Sequence, residues 1–274
     1  MTREEAILRM KDIGCYNAAL IDRAKWQDGS ITLRSPAGEE LVFSAGGRLA
    51  ELLDGAGAKA VQIGHRFYLP AILEQPLDES FDFGNGQLRV LGEKNCMLCA
   101  ALRELEELRA SGCGICTFCR EGAYQLSAIL NDMTRPGAEK KQLDLAQEIA
   151  SAMPDGCNCP VGADTAAPVL SVLELFRAEL EAHCAGGKCP AGECSGFSTI
   201  YIDPHKCEGS GDCMDVCPVD AIEGKRGYIS MIDEFECTKC GKCIEACENE
   251  AIVLGAGRLP KLPDKLTKVG RFRK

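Results

Sequence analysis

Residues 237–247 read Cys-Thr-Lys-Cys-Gly-Lys-Cys-Ile-Glu-Ala-Cys, and the class of the chain turns on this stretch. Cys237, Cys240 and Cys243 are each separated by two residues, and Cys247 follows after three more. A loop of that pitch curls three thiolates around one face of a cubane iron–sulfur cluster, while the fourth points to a second cluster. Thirty residues upstream the register recurs as Cys207, Ser210, Cys213 and Cys217-Pro218, so that GDCMDVCPVDAI at 211–222 aligns with GKCIEACENEAI at 241–252. Crossing the fourth ligands gives two cages. One is Cys237, Cys240, Cys243 and Cys217; the other is Cys207, Cys213 and Cys247, with Ser210 facing the fourth corner. Paired tetrahedral zinc knuckles fit seven crossed cysteines less well than clusters do.

The duplication resembles a two-cluster ferredoxin and places one module at 199–255. Ser210 sets its two halves apart, because a hydroxyl is a poorer iron ligand than a thiolate. The expectation is a 4Fe-4S cluster completed by an alkoxide, water or Asp212, or a 3Fe-4S cluster if the corner iron is lost. A second constellation lies upstream: Cys113, Cys116 and Cys119, again with two residues between neighbours, and Cys159-Pro160-Val161-Gly162 forty residues later. Three close thiolates and one distant thiolate make a cage for one more 4Fe-4S cluster.

Composition narrows the alternatives. The 274 residues include 18 cysteines, too many for packing alone and too tightly spaced for the disulfides of a short secreted chain. The expected compartment is reducing, hence cytoplasmic, and the cluster chemistry suits anaerobic metabolism. A net charge of −10 argues against a general nucleic-acid binder, which needs a basic face. No apolar stretch is long enough to span a membrane, and the charged start MTREEAILRMKD lacks a signal-peptide core. Aromatics are only 5%, so the interior should be mostly aliphatic and Cys.

The expected fold class is α+β and multidomain: a small β-grasp domain, a four-helix iron–sulfur domain and the ferredoxin-like domain. Apolar periodicity predicts a helix over 3–21. A hairpin over 30–43, a short helix over 47–53, and strands at KAVQIG and QLRVL complete an N-terminal unit spanning 1–92. Helical spacing, led by Leu98, Leu102, Leu105 and Leu108, runs through 93–183, with segments at 120–132, 138–152 and 166–183. A Cys-rich linker covers 184–198, and a basic tail covers 256–274. That tail is read either as disordered or as docking on an acidic partner.

SGCGICTFCREG at 111–122, followed by C-x-x-G at 159–162, resembles the cluster-binding helical domain of the NADH-oxidising flavoprotein subunit of respiratory complex I. KAVQIGHRFYLPAILEQPLD at 59–78 resembles the β-grasp, or SLBB, domain that precedes it there. The whole order, with CPAGEC at 189–194 and a C-terminal ferredoxin, looks closer still to the beta subunit of electron-bifurcating iron-only hydrogenases and formate dehydrogenases. The resemblance implies an iron–sulfur electron-transfer subunit, not itself catalytic, in a multisubunit oxidoreductase. Its implied partners are a 2Fe-2S thioredoxin-like subunit, an NAD(P)H-binding flavoprotein and a hydrogenase, formate dehydrogenase or aldehyde oxidoreductase-type subunit. A structural scaffold whose clusters lie off the electron path is the alternative. In that family an FMN- and NADH-binding domain stands before the β-grasp unit. Residues 1–40 are too few for it, and the Gly55/Gly57 and Gly84/Gly86 pairs read as turns. No FMN is therefore expected.

The same resemblance implies a structural zinc held by Cys96, His183, Cys189 and Cys194, a closed set of one imidazole and three thiolates. Cys184 could replace one of them. The plainer reading makes Cys96 a buried small hydrophobe and His183 a helix C-terminal cap. Cys15, Cys99 and Cys157 carry no assigned role, although Cys157 could compete with Cys159.

Overall fold

The computed structural model describes residue 8 and residues 23–185, 187–256 and 259–272. Apart from the helical, exposed Leu8, the helix expected over 3–21 lies outside them, as does Cys15. The chain divides into two compact units, Met1–Cys194 and Ser195–Lys274.

The first unit opens with the expected hairpin. Strands β1 (Ser30–Arg34) and β2 (Glu40–Ser44) pair antiparallel from Ser30↔Ser44 to Arg34↔Glu40. A second antiparallel sheet has β3 (Ala58–Ile63) between β4 (Arg66–Tyr68) and β5 (Leu88–Gly92). Ile31, Leu33, Phe43, Val61, Ile63, Phe83 and Leu88 form one core. The scarce aromatics gather here: Trp26, Phe43, Phe81 and Phe83 meet edge-on or tilted at centroid distances of 4.8–6.1 Å. Strand β4 is not legible in the sequence, because three residues carry no periodicity. Tertiary contact fixes it. Phe67 is buried, and its N–H donates to Ser171 Oγ at 3.1 Å; burying such a ring is worth about 2–3 kcal/mol.

The helical region comprises α1 (Met97–Ser111), α2 (Ala123–Met133), α3 (Lys140–Gly156), α4 (Pro160–Asp164), α5 (Ala167–Leu175) and α6 (Arg177–Ala185). Leu98, Leu105 and Leu108 of α1 are buried as their spacing demands, and Leu102 is half-buried. The structure thus has more segments than the four helices expected. The one helix foreseen at 166–183 breaks at Phe176, whose φ of −126° and ψ of 24° leave the helical region. A π-helical turn at Phe118–Gly122 precedes α2 and carries Cys119, consistent with such turns marking functional sites.

The second unit is pseudo-symmetric down to single hydrogen bonds. Strands β6 (Ser198–Ile202) and β9 (Ile252–Ala256) pair through Ile202↔Ile252, while β7 (Ile222–Glu223) and β8 (Met231–Ile232) pair through Ile222↔Ile232. Moving by thirty residues turns one pair into the other. Asp203 N–H donates to Ala251 O at 2.7 Å, and Asp233 N–H to Ala221 O at 2.8 Å. Helices α7 (Asp212–Asp215) and α8 (Lys242–Glu245) start from Gly211 and Gly241, both at positive φ. Residues 259–272, read from sequence as either disordered or docking elsewhere, fold back on this unit. Ile229 N–H donates to Thr267 O, Val269 N–H donates to Gly227 O, and Phe272 packs on His205.

Candidate metal centres

No disulfide joins the described cysteines, so their thiols are available for ligation. In the second unit, Cys243 is buried in the isoleucine core with Cys207, Cys213, Cys217, Cys237 and Cys247 packed around it. The two halves treat their fourth thiols alike. Ala221 N–H donates to Cys217 Sγ at 3.3 Å and Ala251 N–H to Cys247 Sγ at 3.4 Å. Burial raises the Cys213 thiol pKa; Ser230 opposes it, and the neighbouring Cys207 and Cys247 add to it. Cys247 of the second half therefore acts on Cys213 of the first. Burial likewise raises Cys243, with Cys237 the next cause and Cys213 and Cys240 contributing. Ser210 and its counterpart Cys240 are both exposed. Their loops differ one residue earlier. Gly209 (φ +71°) lies so close to the Tyr228 backbone that a Cβ would come within 2.8 Å of it. Lys239 (φ +55°) has room, and its Nζ donates to Ser195 O and Ser198 O.

In the first unit, Cys116, Cys119, Cys157 and Cys159 are buried and Cys113 is partly exposed. Burial opposes ionisation of Cys116, but hydrogen bonds from the Asn158 and Cys119 N–H groups and from the Cys157 and Cys119 thiols outweigh it and lower its pKa. Cys119 is pushed up to about 11 by burial and by Cys116, Cys113 and Cys159. Cys157 is pushed up to about 12 by burial and by Cys116 and Cys119. The loop between α3 and α4 thus brings the distant Cys159 to the three clustered cysteines, and brings Cys157 with it. A Cβ on Gly162 would lie 2.9 Å from Cys157 Sγ and 3.3 Å from Cys119 Cβ. Only glycine leaves that flank open, and soft thiolates around it are the donor set a cubane cluster takes.

A third group stands where α1, α6 and the loop after α6 converge. One ligand atom from each of Cys96, His183, Cys189 and Cys194 lies within 4.8 Å of the others. Cys96 Sγ is 3.3 Å and Cys194 Sγ 3.5 Å from His183 Nε2. His183 is 0% exposed, and its Nδ1 is 2.8 Å from Glu179 O. A carbonyl only accepts, so Nδ1 carries a proton, and Nε2 is the atom that faces the sulfurs. The bond to Glu179 O lies within the last turns of α6, and the same ring turns its other nitrogen to the sulfurs of Cys96 and Cys194. Carboxylates brace the site: Glu193 Oε2 accepts from Cys96 N–H, Glu179 Oε1 from Met97 N–H at 3.0 Å, and Glu179 Oε2 pairs with Lys59 at 2.7 Å. Cys99, which carries no role in the sequence motifs, adds a thiol 3.2 Å from Cys194 Sγ. Hydrogen bonds from Cys194 and Cys96 lower its pKa, while the bonds of Cys194 to Cys96 and Cys99 raise that of Cys194. Its position one turn into α1 after Cys96 was the available signal. One imidazole and three thiolates fit a closed tetrahedral zinc set.

Residues 100–183 match the NADH-ubiquinone oxidoreductase-F iron-sulfur binding region, and residues 199–248 match the 4Fe-4S dicluster domain. The chain is 34% identical to the NADP-reducing hydrogenase subunit HndC of Solidesulfovibrio fructosivorans, over 68% of this chain and 39% of that one. It is 31% identical to the F component of the NADH-quinone oxidoreductase of Mycobacterium bovis, over 52% of this chain and 36% of that one. It therefore spans well under half the length of these relatives. The NAD+-reducing [NiFe]-hydrogenase in its H2-reduced state shares the fold at a TM-score of 0.51 and 21% identity, over 61% of this chain and 31% of that one. The chain thus matches the C-terminal, iron–sulfur part of the flavoprotein component that its motifs resembled. Among the described residues, no helix is long and apolar enough to cross a membrane.

Proposed function

We propose that this chain is an iron–sulfur electron-transfer subunit of a cytoplasmic, multisubunit oxidoreductase. It would hold three clusters. Cys113, Cys116, Cys119 and Cys159 hold one; Cys217, Cys237, Cys240 and Cys243 hold the second; Cys207, Cys213 and Cys247, with Ser210 at the corner, hold the third. Cys96, His183, Cys189 and Cys194 hold a structural zinc. The observation that carries the reading is that cysteines of both halves, Cys207, Cys213 and Cys217 with Cys237, Cys243 and Cys247, gather on one isoleucine core, where Cys247 acts on Cys213 across the repeat. Crossed fourth ligands are the signature of two cubanes sharing one small fold.

When bound, the clusters supply one-electron carriers. The chain supplies their surroundings: N–H groups of Ala221, Ala251 and Lys239 directed at ligand sulfurs, and an isoleucine core that limits water. The N–H groups raise a cluster's potential, because they stabilise the charge that reduction adds; exclusion of water works against them. Electrons would pass between an NAD(P)H-linked flavoprotein or a 2Fe-2S subunit and a catalytic subunit of the hydrogenase or formate dehydrogenase kind. The likeness to HndC and to the mycobacterial oxidoreductase supports that assignment.

The test is anaerobic purification with its natural partners, followed by a potentiometric titration read by electron paramagnetic resonance. A relay gives about twelve irons per chain and clusters that reduce reversibly under the substrate couple. Clusters that stay oxidised at every potential the complex reaches would leave the chain a scaffold and refute the proposal.

A further inference from the structure

We propose that Cys157 is a second ligand for the fourth corner of the helical unit's cluster, able to take the iron otherwise held by Cys159. The proposal rests on the reading that Cys113, Cys116 and Cys119 hold a cluster there. A cubane takes four protein thiolates, and this pocket contains five.

Cys157 and Cys159 flank Asn158 in the link between α3 and α4, and both have extended backbones, with φ/ψ of −85°/136° and −139°/159°. Residues two apart in an extended segment project their side chains to the same side. Both thiols therefore face the cage, while the Asn158 N–H between them bonds Cys116. Cys157 is 7% exposed. Its sulfur has for neighbours Cys116, Cys119 and Cys159, and the bare Cα of Gly162. A cysteine used as a small hydrophobe packs against aliphatic side chains. This one has a hydrogen bond to the Cys116 thiol and lies on the flank that Gly162 keeps open. The exchange is balanced without an electron. As the Cys157 sulfur–iron bond forms, its thiol proton passes to water; as the Cys159 sulfur–iron bond breaks, that sulfur takes a proton up.

The experiment uses the full chain, reconstituted anaerobically with ferrous iron and sulfide, and measures iron, sulfide and zinc together with the low-temperature resonance spectrum. Cys159→Ala is expected to keep its iron with altered g values, and Cys157→Ala/Cys159→Ala to lose about four irons per chain while keeping zinc. Loss in Cys159→Ala equal to that in the double variant overturns the proposal. If Cys159→Ala does not fold, the rate of iron removal by a ferrous chelator decides. Cys157→Ser should lose the cluster several-fold faster than the unsubstituted chain, and an unchanged rate overturns the proposal. An unsubstituted chain that never loads this cluster refutes the cluster reading itself, an outcome distinct from loading that Cys159→Ala abolishes.

Discussion

Ser210 and Cys240 occupy one position in the two halves of a repeat whose backbones agree at Gly211 and Gly241, at Asp220 and Glu250, and in the hydrogen bonds to Cys217 and Cys247. The difference between them is therefore chemical rather than conformational. A hydroxyl loses its proton far less readily than a thiol, and both positions are exposed to solvent. The Ser210 corner should be the one that iron leaves first. Brief exposure of the chain to air is expected to give a 3Fe-4S resonance of up to about one spin per chain. Ser210→Cys should suppress it and leave the other clusters unchanged; full intensity in that variant would place the labile corner elsewhere. Gly162 makes a complementary case, through space rather than ligation. Gly162→Ala forces a methyl to 2.9 Å from Cys157 Sγ, too near for either group to stay in place. It should lower the iron content of the first unit, measured against Gly255→Ala, where nothing lies within 4 Å and iron content should hold.

At the scale of elements, the N-terminus of α1 is held by acidic side chains from later in the chain. Glu179 of α6 receives Met97 N–H and pairs with Lys59 of β3, a pair only 14% and 11% exposed at its side chains. Removing one member of a buried pair leaves the other charge without compensation. Glu179→Ala is expected to destabilise the first unit by about 3–5 kcal/mol, seen as a lower urea midpoint at unchanged slope. Glu179→Met combined with Lys59→Met should recover most of that loss, since an apolar pair of similar volume replaces the charges. Should the double variant be no more stable than Glu179→Ala, the hydrogen bond to Met97 N–H is the larger contribution. Ser171 plays a similar role between α5 and β4. It accepts from Phe67 N–H at 3.1 Å and donates to Pro168 O at 3.0 Å. Ser171→Ala leaves a buried N–H without an acceptor and should cost about 1–3 kcal/mol in the same measurement.

For the molecule as a whole, metal content is the property that reads out most of its cysteines together. The anaerobically purified chain is expected to hold about one zinc beside its iron. Cys189→Ala should remove that zinc without lowering the iron of the second unit, because a structural site contributes its binding energy to the fold around it. Unchanged zinc content in Cys189→Ala would exclude Cys189 from the site, and Cys99, 3.2 Å from Cys194, would then be the sulfur to test.

Local spacing alone determined a good part of this. The two-residue spacing of the thiols at 113–119 and 237–243 marked each set as one that can wrap a single cluster. The repeat at 211–222 and 241–252 implied the pseudo-symmetric unit, and the hairpin at 30–43 and the leucines of α1 followed from period and turn chemistry. Tertiary structure decided what spacing leaves open. Strand β4 exists because Phe67 and its N–H find α5, the break at Phe176 divides what periodicity joined, and the tail folds back onto residues 227–229. It also decided which sulfurs lie near one another. Cys99 and Cys157 carry no motif that sets them apart from packing cysteines. Only the fold shows which thiols lie beside them, and contacts between residues more than thirty positions apart fix those neighbours in space.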